Sequence, residues 1–389
     1  MSRLPGRQRS VLVVGDGLTA AATAGFLDQA GLDPVVAPPP SRQRPTGVIV
    51  LWRPGLVLLE RIGLRRPVER VGQPLTCRHC LTTDRSWTAE AAAATDQSAL
   101  VAVDRRRLAS LLDSYVLSTV RVTDRAVTAV DPTTSGVRST FAGGVTECFD
   151  AVVTASRALV SDREPTAAAG VGWWRFEWPD GVADPPAPAE LWSDRRAALF
   201  MPTSDGVDVR LVSTAATDAG SVLSPVDLGR QFGELFAQQP APFAALDDRQ
   251  LQYRQLRGAS PTTLSDRRLV PVGAASRGVV PGDCLEATRG IEDAWIVADT
   301  LAYGPDEVES ALDDADRRRR QRAREYVAAV EATFESNRHS TASGHPTNSG
   351  HPADRSPWLR RLLARRRLAF SHLIDGRIPR VAESIPQRL

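Results

Sequence analysis

Residues 11–20 constrain this chain more than any other stretch. Val11 to Val14 are apolar and mostly β-branched, as in a buried strand, and the alanine-rich run Leu18 to Ala30 closes on Gly31 as a helix does. Between them stands Gly15-x-Gly17-x-x-Ala20. A glycine pattern placed between strand and helix predicts a dinucleotide-binding turn. Gly15 permits the tight turn, Gly17 lets a pyrophosphate approach the backbone, and the helix N-terminus offers amide donors and a favourable dipole. Ala20 in the third place is tolerated. Pro34 to Ala37 then reads as a second strand, stopped by Pro38, Pro39 and Pro40, which makes an opening βαβ unit.

A complete fingerprint also has an acidic residue about 20 positions on, at the end of the second strand, where it binds ribose hydroxyls. Pro38 occupies that place, and the next acid is Glu60.

The rest of the first half reads as mixed α/β. Leu56 to Ile62 predicts a short helix ending at Gly63, Asp104 to Leu117 a longer one, and strands are expected at 119–123, 126–130, 138–142 and 149–154. From Gly170 to Thr217 the texture changes to β-type runs, Ala197 to Met201 and Val207 to Ser213 among them, interspersed with Trp173, Trp174, Phe176, Trp178 and Trp192. An inserted, mostly antiparallel sheet accounts for them. Its tryptophans either pack a sheet face or stack on an aromatic substrate. Pro225 to Gln238 reads as helical, and Leu269 to Val272 as a strand running into Gly273. Ile291 to Leu301 and Pro305 to Phe334 read as long helices, with Arg317 to Arg320 on a solvated face.

At 389 residues the chain has room for two domains, and its 42% hydrophobic and 24% charged residues are those of a folded globular protein. All 48 basic residues are arginine, yet the net charge is only +2, so global electrostatics favour neither nucleic acid nor an anionic membrane. Four irregularly spaced cysteines, Cys77, Cys80, Cys148 and Cys284, fit a reducing compartment, which points to the cytoplasm. No apolar run approaches the roughly 20 residues of a membrane span. Glycines interrupt the N-terminal apolar stretch and no convincing cleavage site follows, so a leader is not expected. Cys77-x-x-Cys80 has the spacing of half a zinc site or of a redox pair. No second pair stands at ligand spacing, so ordinary strand residues and no metal are expected there.

Beyond the glycine turn the chain resembles the FAD-dependent monooxygenases of the para-hydroxybenzoate hydroxylase type, over roughly residues 10–330. Gly47 to Gly63-Leu64 looks like the segment leading into that family's second helix, and Val101 to Leu108 like its stretch with an arginine near the flavin, which falls at Arg105. Leu269 to Arg277, Pro281 and Ile291-Glu292-Asp293-Ala294 resemble the family's Gly-Asp-Ala-Ala-His segment, its proline and its Leu-Glu-Asp-Ala. The resemblance implies an α/β fold: a Rossmann-like FAD-binding domain, an inserted antiparallel substrate domain and long C-terminal helices. Its implied bounds are 1–168 and 266–336 for the FAD domain and 169–265 for the substrate domain. It implies FAD as cofactor, NADH or NADPH as reductant, and transfer of one oxygen atom from a flavin hydroperoxide to a small apolar or aromatic molecule. The flavin carries that chemistry, so no catalytic side chain is named. The cofactor-binding residues it implies are Gly15, Gly17, Ala20, Arg44, Arg105, Gly273, Ala274 and Pro281.

The chain departs from the pattern at Pro38, at Ser156-Arg157 in place of Asp-Gly, at Ala274 in place of Asp, and at Cys284-Leu285-Glu286 in place of a glycine-rich turn. A hydrogen bond to a charged group contributes roughly 1.5–3 kcal/mol, so losing two carboxylates weakens FAD by about two to four decades if the effects add. Arg42, Arg44 and Arg157 are candidates to compensate. The alternative is a flavin-free relative that keeps the fold as a binding or partner protein. A third reading, binding of NAD or another nucleotide in place of FAD, has less support, because no ribose-reading acid is present.

Residues 337–356 are rich in Ser, Gly, Pro, Thr and His and read as a linker, and 357–389 as an arginine-rich helix and tail. A segment of that composition buries too little apolar surface to offset its ordering. Deleting 337–356 is therefore expected to leave the melting temperature of the rest unchanged, as followed by differential scanning calorimetry.

Overall fold

The structure, a computed structural model, describes residues 9–41, 47–74, 77–81, 87–91, 100–160, 171–183, 185, 189–192, 196–203, 206–213, 223–236, 241–256, 267–276 and 283–324. In chain order the first elements are β1 (Ser10–Val14), α1 (Leu18–Gln29), β2 (Asp33–Ala37), β3 (Val48–Trp52), α2 (Arg53–Arg61) and α3 (Arg65–Val71). Next come β4 (Gln73–Pro74), β5 (Cys77–Leu81), β6 (Trp87–Ala91), β7 (Leu100–Asp104), α4 (Arg105–Thr119), β8 (Arg121–Val122), β9 (Val127–Pro132), β10 (Val137–Phe141), β11 (Thr146–Phe149) and β12 (Ala151–Thr154). The remainder is β13 (Val171–Glu177), β14 (Ala189–Trp192), β15 (Arg196–Pro202), β16 (Val207–Ser213), α5 (Pro225–Phe232), β17 (Gln252–Leu256), β18 (Leu269–Pro271), α6 (Asp283–Tyr303) and a further helix, α7, over 308–324.

A parallel sheet ordered β18-β12-β1-β2-β8 forms the centre of the first layer. Its strands are short and apolar throughout, because both faces are covered. Val11 and Val13 pack against Phe26 and Leu27 of α1 and Val297 and Leu301 of α6, whereas Leu12 and Val14 face the antiparallel meander β9-β10-β11. Residues 149–154, which read as one strand, are two. Asp150 separates them, since its carboxylate accepts hydrogen bonds from the backbone N and the Oγ of Ser10, at 2.8 and 3.1 Å, where the chain passes from meander to parallel sheet.

A mixed seven-stranded sheet, β17-β13-β16-β15-β14-β5-β6, is antiparallel at every pairing except β14 with β5. It therefore draws the Cys77–Leu81 and Trp87–Ala91 hairpin from the first half of the chain. Among the described side chains, Trp174, Phe176, Trp178 and Phe200 are buried in its core. Trp174 lies edge-on to Phe232 of α5 with ring centroids 5.5 Å apart, and Trp178 contacts Phe200 and Phe236. The helix expected at 225–238 is α-helical only to Phe232, after which Gly233–Phe236 tightens into a 3-10 turn.

The small sheet β3-β7-β4 lies between these two, and a buried charge cluster joins β3 to the seven-stranded sheet. Asp208, fully buried, accepts from Nε of Arg175 and, at 2.9 Å, from Nε of Arg210, while Arg210 also donates to the carbonyl of Val48. The Arg175 guanidinium rests so close to Gly47 that no side chain fits there. Removing Asp208 leaves two guanidinium groups buried without their shared counter-charge. Asp208→Ala is expected to lose about 3–5 kcal/mol of unfolding free energy, measured by denaturant titration, whereas Asp227→Ala, whose partner Arg230 is exposed, loses about 1 kcal/mol or less.

Candidate functional site: a phosphate cradle at the head of the first helix

Gly15 is buried at the end of β1, and its amide donates to the carbonyl of Ala37 at 3.0 Å. A Cβ on it would lie 2.8 Å from that of Ala20 and 3.1 Å from that of Ala155, so the turn closes only because both partners are small. Ala20 thus serves the turn by its size. Gly17 differs: it caps α1 in an extended conformation, is exposed, and would place a Cβ in open space. The first turn of α1, whose leading amides have no partner within the helix, opens onto unobstructed space at Gly17.

Gly273 ends β18 in the left-handed region, φ +55°, and a Cβ there would lie 2.8 Å from Oγ1 of Thr19. Gly290, on α6, presses on the same hydroxyl. The return strand, the first turn of α1 and the middle of α6 therefore meet at Thr19, within one side chain of Gly17. Asp293 holds the junction: its carboxylate accepts from the Gly273 amide at 3.3 Å and from Ser276 Oγ at 3.4 Å. It is held in turn by Arg319, which is fully buried and also donates to the carbonyl of Pro271. Arg319 belongs to the run read as a solvated face. Four successive residues of a helix cover more than one turn, so one of them points inward.

Arg105 opens α4, half-buried, with its amide donating to the carbonyl of Gly47 at 2.9 Å. Asp104 caps that helix, accepting from the amides of Arg106 and Arg107. Beside it a cleft of about 140 Å³ is lined by Val48, Arg70, Gln73, Asp104, Arg107 and Thr203, where the small sheet meets the end of β15. Ala274 lies in the 3-10 turn Gly273–Ser276 and brings no carboxylate to it. Arg44 and Pro281 lie outside the described residues, as do the side chains of Cys77 and Cys80, whose backbone is the expected strand.

Pro38 and Pro39 are buried, and β9 crosses the end of β2 there, with the Val127 amide donating to the carbonyl of Pro38. Arg157 is exposed in a 3-10 turn after β12. The helix expected from Ile291 begins at Asp283, so positions 284–286 are helical turns where the family pattern has glycines. Cys, Leu and Glu tolerate helix where glycine does not. The glycine turn at the head of α1 is thus formed as the sequence pattern predicts, whereas positions 38 and 274 bring no carboxylate.

Solved structures similar to the chain include tetracycline destructase Tet(55), at 15% identity and TM-score 0.65, covering 98% of this chain and 99% of that one. The tetrameric form of 2-methyl-3-hydroxypyridine-5-carboxylic acid oxygenase aligns at 20% identity and TM-score 0.65, covering 86% and 93%. Klebsiella pneumoniae HpxO complexed with FAD and uric acid aligns at 18% identity and TM-score 0.62, covering 94% and 98%. The chain has the fold of these proteins. No protein-family model matches it, and no curated protein matches it in sequence.

A side chain at position 17 would project into the open space at the head of α1. Gly17→Leu is expected to leave the melting temperature of the protein alone within a degree or so, because nothing is displaced, and to abolish any rise in it on adding FAD. Gly15→Leu, by contrast, is expected to destabilise the protein outright through overpacking against Ala20 and Ala155, by about 1–3 kcal/mol.

Proposed function

We propose that the chain is an FAD-dependent monooxygenase acting on a small apolar or aromatic molecule, with NADH or NADPH as reductant. The observation that carries this reading is the open space at Gly17 at the head of α1, in the same turn as Thr19, on which Gly273 and Gly290 press. It occurs on a fold shared with a protein that holds FAD and uric acid. One atom of O2 enters the substrate and the other leaves as water, with two electrons from the reduced nicotinamide.

FAD, when bound, supplies the redox chemistry. The protein's own part is to bind, orient and exclude water. The amides at the head of α1 take the pyrophosphate, and Thr19, fixed between Gly273 and Gly290, sets the depth of the cradle. Arg105, at the start of α4 beside Gly47, would be the arginine near the flavin that the family resemblance implies. The Arg175–Asp208–Arg210 cluster ties the seven-stranded sheet to β3, which keeps the space between the sheets narrow enough to hold a small substrate away from bulk water. No nucleophilic side chain is needed. No described helix is long and apolar enough to cross a membrane. A cytoplasmic setting suits the sparse cysteines, of which Cys148 is free and exposed.

A second reading, a flavin-free relative that binds a small molecule or a partner, is favoured by the buried Pro38 and by α6 running through positions 284–286. The two readings differ in one measurement. Under the first, protein purified without added FAD shows substoichiometric flavin absorption bands, and added FAD raises the melting temperature progressively, by the equivalent of about 2.7 kcal/mol at a hundredfold excess over Kd. A folded protein with no shift at millimolar FAD belongs to the second.

A further inference from the structure

Four of the buried arginines have carboxylate partners: Arg175 and Arg210 share Asp208, Arg319 pairs with Asp293 and Asp316, and Arg322 makes two hydrogen bonds to Glu292, at 2.9 and 3.0 Å. Arg289, on α6, does not. It is only 4% exposed, and both of its terminal nitrogens, Nη1 and Nη2, are buried with no hydrogen-bond partner among the described residues. Of the acids one turn away on its helix, Glu292 and Asp293 are engaged by Arg322 and Arg319 of α7, and Glu286, on the preceding turn, is not bonded to either terminal nitrogen of Arg289. A guanidinium cannot escape burial by losing its proton, so an unpaired one implies an anion that arrives from outside the chain.

The place of Arg289 says which anion. Its neighbour Gly290 presses on Thr19, in the first turn of α1. Asp293, one turn further along the same helix face, accepts from the Gly273 amide. Arg289 thus lies on the stretch of α6 that packs against the head of α1 and the Gly273 turn. We propose that Arg289 is a phosphate receptor that completes the dinucleotide site, supplying by charge at the phosphates what Pro38 and Ala274 no longer supply at the hydroxyls. This rests on the reading of the site as one for FAD, and it assigns a residue for which the glycine fingerprint has no position.

The test is a thermal-shift and fluorescence titration of the full chain with FAD, with ADP and with inorganic pyrophosphate, in wild type, Arg289→Met and Arg289→Lys. A charge-assisted hydrogen bond is lost in the methionine variant, so all three ligands are expected to weaken by about ten- to a hundredfold, with part of that recovered by lysine. Without ligand, Arg289→Met is expected to melt at or above wild type, because an unpaired buried charge has been replaced by an apolar chain. A merely structural arginine would give the opposite sign. Unchanged FAD affinity in Arg289→Met, or a large loss of melting temperature in it without ligand, overturns the proposal while leaving the FAD reading intact. If wild type ignores FAD but is stabilised by pyrophosphate only when Arg289 is present, the receptor stands and the FAD reading falls. If wild type responds to none of the three, both fall.

Discussion

The contact of Thr19 with Gly273 and Gly290 is the constraint on which the rest of the site depends. Three segments far apart in sequence, the head of α1, the end of β18 and the middle of α6, approach so closely that only a backbone without side chains fits on two of the three sides. This closeness lets the parallel sheet, with α1 and α6 on one face, present a single edge of amides and turns. It also explains why a buried acid and a buried arginine are retained nearby. A glycine turn in the left-handed region has little to hold it in place, and the Asp293 carboxylate, gripping the Gly273 amide and gripped by Arg319, substitutes fixed electrostatics for missing side-chain packing.

A comparable device operates at the other joint. The seven-stranded sheet has its own aromatic core against α5, and the first layer has its core around α1 and α6. Between them, Asp208 bonded to Arg175 and Arg210, with Arg210 on the Val48 carbonyl, forms a polar seam. Hydrophobic residues of the same volume would hold the sheets together at least as well. A fully bonded charge cluster instead fixes one relative placement, since any sliding along β3 breaks several directed bonds at once.

The strand, turn and helix of residues 10–29 were legible in the sequence because every signal there is local: an apolar run, two glycines and a helix closing on glycine. The same is true of α4, capped by Asp104, and of the paired strands β15 and β16. What was not legible depends on partners distant in sequence. Nothing within residues 77–91 indicates that they join a sheet built from residues 171–256, because strand pairing is decided by the edge that β14 leaves open. The arginines mislead for a related reason. With 48 of them and no lysine, each reads as surface, and only the fold distinguishes Arg319, fully buried on Asp293, from Arg317, whose side chain is 70% exposed two residues earlier. Arg289 carries no pattern at all. The extension of α6 to Asp283 could have been found, since Cys284 to Arg289 contains no helix breaker.

The changes at the cofactor end share one physical direction. Pro38 and Ala274 remove carboxylates, which recognise hydroxyl groups by accepting their protons, whereas Arg157 and Arg289 are donors only and recognise anions. Under the FAD reading proposed above, a site altered in this way moves recognition from the sugars of the dinucleotide to its phosphates. Sugar recognition is directional and insensitive to salt, and phosphate recognition by guanidinium groups at the mouth of a site is screened by it. Burial exempts Arg289 from most of that screening while leaving Arg157 subject to it. A chain that reads its ligand by phosphate charge also discriminates less among the groups the phosphates carry. At the polar seam the fold already brings Arg105, Gly47 and Arg175 together.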